Sequence, residues 1–150
     1  MNERRGTPWH LWVVGIVSLL WHAGGANDYI QTQLANADYL AAAAEMTGVS
    51  TQTMIAYFES RPLWFEFAWA IGIWGAVLGS ILLLLRSGFA YYVFILSFLG
   101  TVASFSMQFS DPMPGTSMAG LQLVMTVAIF AIEIFLILYS RAMARRGVLR

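Results

Sequence analysis

The stretch from Pro62 to Phe109, PLWFEFAWAIGIWGAVLGSILLLLRSGFAYYVFILSFLGTVASFSMQF, decides how this chain is to be read. It holds two apolar runs, 62–85 and 89–109, separated only by Arg86, Ser87 and Gly88. A helix crosses a bilayer with about 20 mostly apolar residues, and each run reaches that length. So short a link forces the two into an antiparallel hairpin. Working outward, residues 8–30 form a further apolar run, with Thr7 a candidate N-cap and Pro8 fitting the first helical position. Beyond a loop broken by Pro112 and Pro114, a fourth run extends over 118–139. The predicted fold class is an all-α membrane protein, a four-transmembrane-helix bundle forming one domain over residues 1–150.

Composition points the same way. Of 150 residues, 59% are hydrophobic and 11% charged. The mean hydropathy is +0.66. Soluble domains carry roughly a quarter charged residues, so the lipid bilayer is the expected solvent. Eight basic residues, all arginine, balance eight acidic ones. That balance argues against nucleic acid, which needs a clustered basic face. With no cysteine, disulfides, thiolate metal sites and cysteine nucleophiles are excluded together.

Arginine placement sets the expected orientation. Arg4, Arg5, Arg86, Arg141, Arg145, Arg146 and Arg150 fall on one side of a four-span arrangement, and Arg61 alone on the other. Both termini are therefore expected in the cytoplasm. Arg4 and Arg5, an apolar core and AGGA also resemble a secretory signal. His10 and three tryptophans are unusual for a signal core, so an uncleaved first span is the preferred reading.

Residues 31–61 are too polar to span. NADYLAAAAEM reads as a short helix capped by Asn36 or Asp38 and ended by Gly48, and STQTMIAYFES as a second with Met54, Ile55 and Phe58 on one side. Together they predict an amphipathic periplasmic cap between the first two spans, either a plain surface cover or a lid over a polar cavity.

Ionisable groups inside lipid are costly and mark candidate functional sites. Four polar candidates follow: Glu133, His22, Asp28 and Glu66. On the first span Gly15, Ser18, His22, Gly25 and Tyr29 recur at steps of three and four, a small-and-polar face suited to helix packing. Asp28 falls on a different face from His22, where it could cap a helix or pair with Arg61. Glu66 lies shallow, at the start of the second span, where it favours the helix dipole. Ala68, Gly72, Gly75 and Gly79 form a second packing stripe, roughly opposite Glu66. Glu133 is the deepest acid, about 10 Å from the cytoplasmic end of its span at the helical rise. It must be protonated, line a wet cavity, or reach a partner on another helix, with His10 and Arg86 as candidates. It is the best candidate for proton coupling.

Neither metal nor cofactor is expected. No short histidine spacing occurs, and His10 and His22 lie about 18 Å apart on one helix, too far to clamp one haem. Nucleotide loops, nucleophile elbows and zinc-protease motifs are missing, so no catalytic residues are assigned.

The segments LWVVGIVSLLWHAGGANDYIQTQ and AWAIGIWGAVLGSILLLLRS, with the tail RRGVLR, resemble a family of small four-span bacterial inner-membrane proteins, mostly uncharacterised and often labelled "sugar transporter". Its members tend to show a tryptophan-polar-x-x-Gly-x-x-Asp-Tyr pattern, here Trp21, His22, Gly25, Asp28 and Tyr29. Similar proteins often carry asparagine at the position of His22, which implies a generic hydrogen-bonding role. The resemblance implies the bacterial inner membrane and a possible small-molecule substrate.

Two functions are carried forward. The leading one is an accessory or structural membrane subunit without catalysis, working as a homo-oligomer or within a larger membrane complex. The alternative is an oligomeric, proton-coupled small-solute transporter of the sugar type. An intramembrane enzyme is the least favoured.

Overall fold

A computed structural model of the chain describes residues 6–116 and 120–150. Six helices follow one another: α1 (Trp9–Gln33), α2 (Ala37–Thr47), α3 (Thr51–Glu59), α4 (Leu63–Leu84), α5 (Phe89–Ser110) and α6 (Leu121–Arg145). The expected N-terminal residue of the fourth run, Met118, and the arginines at 4 and 5 lie outside the described residues. Helix α1 starts one residue later than expected: Pro8 is extended (φ −66°, ψ 138°), stands at the N-cap, and no side chain caps the helix. Helix α6 continues past Tyr139 to Arg145 through an alanine-rich last turn ending in a basic residue, which suits the dipole there.

Helices α4, α5 and α6 are each long and apolar enough to cross a membrane. Their outward side chains include Phe67, Leu78, Leu96, Leu99, Val127 and Leu138, all exposed, an arrangement that water would penalise and lipid accepts. The chain is a membrane protein. Helix α1 is as long as α6, but two histidines and the polar end with Asn27, Asp28, Gln31, Thr32 and Gln33 make it the least apolar of the four long helices.

The long helices pack antiparallel in the order α1, α4, α5, α6. Between lipid-exposed helices there is little hydrophobic drive, so close packing and hydrogen bonds carry association. Gly72, Gly75 and Gly79 face α5 at Thr101, Ser97 and Phe94, where an added Cβ would approach within 2.9 Å, 2.9 Å and 2.7 Å. The contact is reciprocal: a Cβ on Gly100 would lie 2.6 Å from the Ala68 carbonyl oxygen and 2.7 Å from the Gly72 nitrogen. Here backbone meets backbone. Gly15 faces Leu84 and Gly25 faces Ile73 across the α1–α4 contact.

Each end of the bundle is closed differently. At one end α2 and α3 form their own small core of Leu40, Ala44 and Met54. Asn36 caps α2 by accepting from the Tyr39 amide, Gly48 ends it in the left-handed region (φ 75°), and Ser50 caps α3. Phe58 stacks on Trp69 of α4 at 5.6 Å between ring centres. At the other end the chain turns at Gly147 (φ 70°), and Val148 and Leu149 re-enter the core beside Leu11, Leu83 and Met143. There Arg150 pairs with the α4–α5 turn: its amide donates to the Arg86 carbonyl (2.8 Å), and its carbonyl accepts from Gly88 (2.7 Å).

Gly100→Leu is expected to lower stability by about 1–3 kcal/mol, at the upper end because the obstacle is backbone. Thermal unfolding in maltoside micelles measures it. Gly24→Ala, whose Cβ meets nothing within 4 Å, is expected to leave the midpoint unchanged or slightly raised.

Candidate functional site

The four long helices, the cap and the loop after α5 line a partly open chamber of about 730 Å³, within the range that holds small organic ligands. Each wall follows from helical spacing. Helix α6 contributes Gln122, Met125, Ile129 and Glu133; α5 contributes Thr101, Ser104, Phe105 and Gln108. Helix α4 supplies Phe65, Trp69 and Gly72, and α1 supplies Trp21, His22, Gly25 and Asp28. Tyr39, Tyr57 and Phe58 of the cap close the end nearest Asp28.

Glu133 is 5% exposed. Its Oε1 accepts from the Thr101 hydroxyl at 2.9 Å, with the Ser97 hydroxyl 3.2 Å away. The Ser97 hydrogen has a shorter path, 2.6 Å, to the Gly72 carbonyl. Oε2 has no partner. Neither cation expected beside this acid is there: His10 contacts the Tyr139 hydroxyl, and Arg86 donates to the Val148 carbonyl. The antiparallel register explains the difference. It sets Glu133 level with the middle of α5, while both expected partners are held at the end of the bundle.

His22 is 7% exposed, and its Nδ1 lies 2.8 Å from the Ser80 hydroxyl oxygen. The Ser80 hydroxyl lies within reach of both His22 Nδ1 and, at 3.0 Å, the Ala76 carbonyl, so which ring nitrogen carries the imidazole hydrogen depends on which of the two takes the Ser80 hydrogen. Nε2 has no partner among the described residues. Two buried groups, one on α1 and one on α6, thus each keep one unsatisfied atom.

Asp28 also borders the chamber, although helical spacing put it on a different face from His22. Toward the cap the chamber is lined from both of these faces of α1. Asp28 accepts from the Tyr39 hydroxyl (2.7 Å) rather than pairing with Arg61. Burial, and then the bond to Asp28, push the Tyr39 hydroxyl up to about 12, so it remains a donor. Arg61 instead reaches Asp111 at 2.8 Å, lies over the Tyr57 ring at 4.0 Å, and donates to the Tyr57 carbonyl. Burial raises the Tyr57 hydroxyl despite the nearby guanidinium. Glu66 accepts from Gln33 of α1 and does not line the chamber.

Sequence reading passed over Ser80, Ser97, Thr101, Tyr39 and Tyr57, and took Trp69 for a packing residue. One signal was available: Ser97, Gly100, Thr101 and Ser104 recur at steps of three, one and three, a hydroxyl stripe around a glycine. Among the described residues no three histidine, aspartate or glutamate side chains converge as a metal site.

These features define a polytopic α-helical membrane protein with a mainly apolar chamber that carries a few polar groups among its long helices. Comparison with family models, with curated proteins and with solved structures finds no match for the chain.

The Thr101–Glu133 hydrogen bond is expected to appear as a coupling of about 1 kcal/mol in a double-mutant cycle of Thr101→Val and Glu133→Gln, near the values such intramembrane bonds show. Additive losses in thermal stability would mean that the bond is not formed.

Proposed function

We propose that the protein binds a small solute in this chamber and acts as a subunit of a small-solute transporter in the bacterial inner membrane. In this reading α1 is a fourth span, both termini are cytoplasmic, and α2 and α3 cap the chamber on the periplasmic side. The arginine distribution supports that orientation. A four-helix protomer encloses little pathway by itself, so the working unit is a homo-oligomer or a larger membrane complex.

One observation carries the proposal: Nε2 of His22 and Oε2 of Glu133 are buried, unpartnered, and belong to residues lining one chamber. An unsatisfied buried polar group costs about 1–3 kcal/mol, which packing alone gives no reason to retain twice. A ligand or water that completes both bonds removes that cost. The accessory-subunit reading drew on the glycine stripes of two spans and on the lack of a dense polar core. Thr101 and Ser104 of α5, with Gln122 and Glu133 of α6 and His22 and Asp28 of α1, gather polar groups on one chamber and weigh against it.

Counterflow into proteoliposomes, run with a panel of labelled sugars, polyols and amines, tests the reading. Wild-type protein is expected to move at least one class, and Glu133→Gln to slow it about tenfold, the effect of losing roughly 1.4 kcal/mol of interaction. The accessory-subunit reading replaces this one if no solute moves or binds and the protein co-purifies from its native membrane in a stoichiometric complex.

A further inference from the structure

We infer that the chamber selects an organic cation, a protonated amine on an apolar body, in preference to a sugar or an anion. The inference rests on the reading of the chamber as a solute site and concerns what that site recognises.

Hydrogen-bond polarity comes first. Six hydroxyl side chains line the chamber, and every one donates its hydrogen inside the protein. Tyr39 donates to Asp28, Thr47 to the Ala43 carbonyl, and Tyr57 to the Asp111 carbonyl. Thr101 donates to Glu133, Ser104 to the Thr101 carbonyl, and Thr116 to the Met113 carbonyl. What these oxygens still present to a ligand is lone pairs. His22 adds a ring nitrogen, Nε2, that has no partner among the described residues. The remaining side-chain donors are the neutral amides and indoles of Gln108, Gln122, Trp21 and Trp69, and Glu133 when its carboxyl is protonated. Such a wall is matched by a ligand rich in donors. A sugar brings donors and acceptors together, and its acceptors would face acceptors. An anion brings no donors.

Charge points the same way. Asp28 and Glu133 line the chamber, and among the described residues no arginine does. Arg61, the closest along the chain to the cap, is engaged by Asp111 and by the Tyr57 carbonyl. Arg86 is engaged at the opposite end. A low-dielectric cavity with two carboxyls and no guanidinium focuses negative potential. The rest of the wall suits the ligand's body. Trp21, Trp69, Phe65 and Phe105 supply aromatic surface, which attracts ammonium groups as well as apolar ones.

Three probes of matched size test this: 2-phenylethylammonium, neutral 2-phenylethanol and anionic phenylacetate. Each is titrated against the full chain in uncharged maltoside micelles, and binding is read by calorimetry and by tryptophan fluorescence. The ammonium is expected to bind at least about tenfold tighter than either analogue, the margin of one charge-assisted hydrogen bond. Glu133→Gln is expected to erase that margin while leaving the two analogues unchanged, and Asp28→Asn to reduce it. Should Glu133→Gln fail to elute as a single species, the wild-type ranking and Asp28→Asn still decide. Repeating the titration in nanodiscs with and without phosphatidylethanolamine identifies the source of the cation. Competition by that lipid assigns the site to an ammonium headgroup, and no competition assigns it to a free amine; both support the inference. Equal or tighter binding of 2-phenylethanol or phenylacetate overturns the cation inference and leaves the solute-binding chamber standing. Absence of binding by all three also overturns it, and the counterflow panel then judges the chamber.

Discussion

The backbone contact between α4 and α5 at Gly72 and Gly100 is the constraint on which the other features hang. A Cβ on Gly100 would overlap the Ala68 carbonyl and the Gly72 nitrogen, so the approach exists only because both residues lack side chains. Proximity then brings polar groups into reach. Ser97 donates to the Gly72 carbonyl across the contact, and Thr101, one turn away on α5, donates to Glu133 on α6. The contact that packs two helices therefore also sets the hydroxyl that holds the buried acid. In lipid this matters more than in water, because helices gain little from hiding apolar surface against one another.

The same arrangement explains where space is left. Helix α1 is pinned to α4 by Gly15 against Leu84 and by His22 against Ser80. At the end closed by Val148 and Leu149, α1 and α6 meet through Leu11, Leu136 and the His10–Tyr139 contact. Toward the cap, Phe130 of α6 packs on Phe98 and Phe105 of α5, while the face bearing Gln122, Met125 and Ile129 looks into the chamber. The bundle is tight at one end and open at the other. Helices α2 and α3 cover the open end, held by Phe58 on Trp69 and by Arg61 on Asp111.

Much of this was legible beforehand for identifiable reasons. Helical periodicity is local, so runs of apolar residues and stripes of glycine stand out along the chain. Caps are local too, and Asn36 and Gly48 act where their side-chain chemistry predicts. Partners of buried polar groups are not local. Glu133 was the conspicuous acid, yet the expectation of a cation beside it failed because helix register, not charge, chose Thr101. Asp28 was expected to reach Arg61 and instead meets Tyr39, only eleven residues away, because the turn at Ala35 folds α2 back over the end of α1.

By itself, the sequence determined that this is a helical membrane protein with a tight hairpin at its centre. Hydropathy and spacing act over one or two turns and need no knowledge of the rest of the chain. Only the tertiary structure decided that His22, Asp28 and Glu133 share one chamber, and that two of them keep an unpartnered atom there. It also decided that the hydroxyls around them are turned away as donors, which sets the character of the site. Those properties depend on the relative height and rotation of separate helices. A shift of one residue along a helix axis is about 1.5 Å and turns a side chain by about 100°, enough to break every one of these contacts.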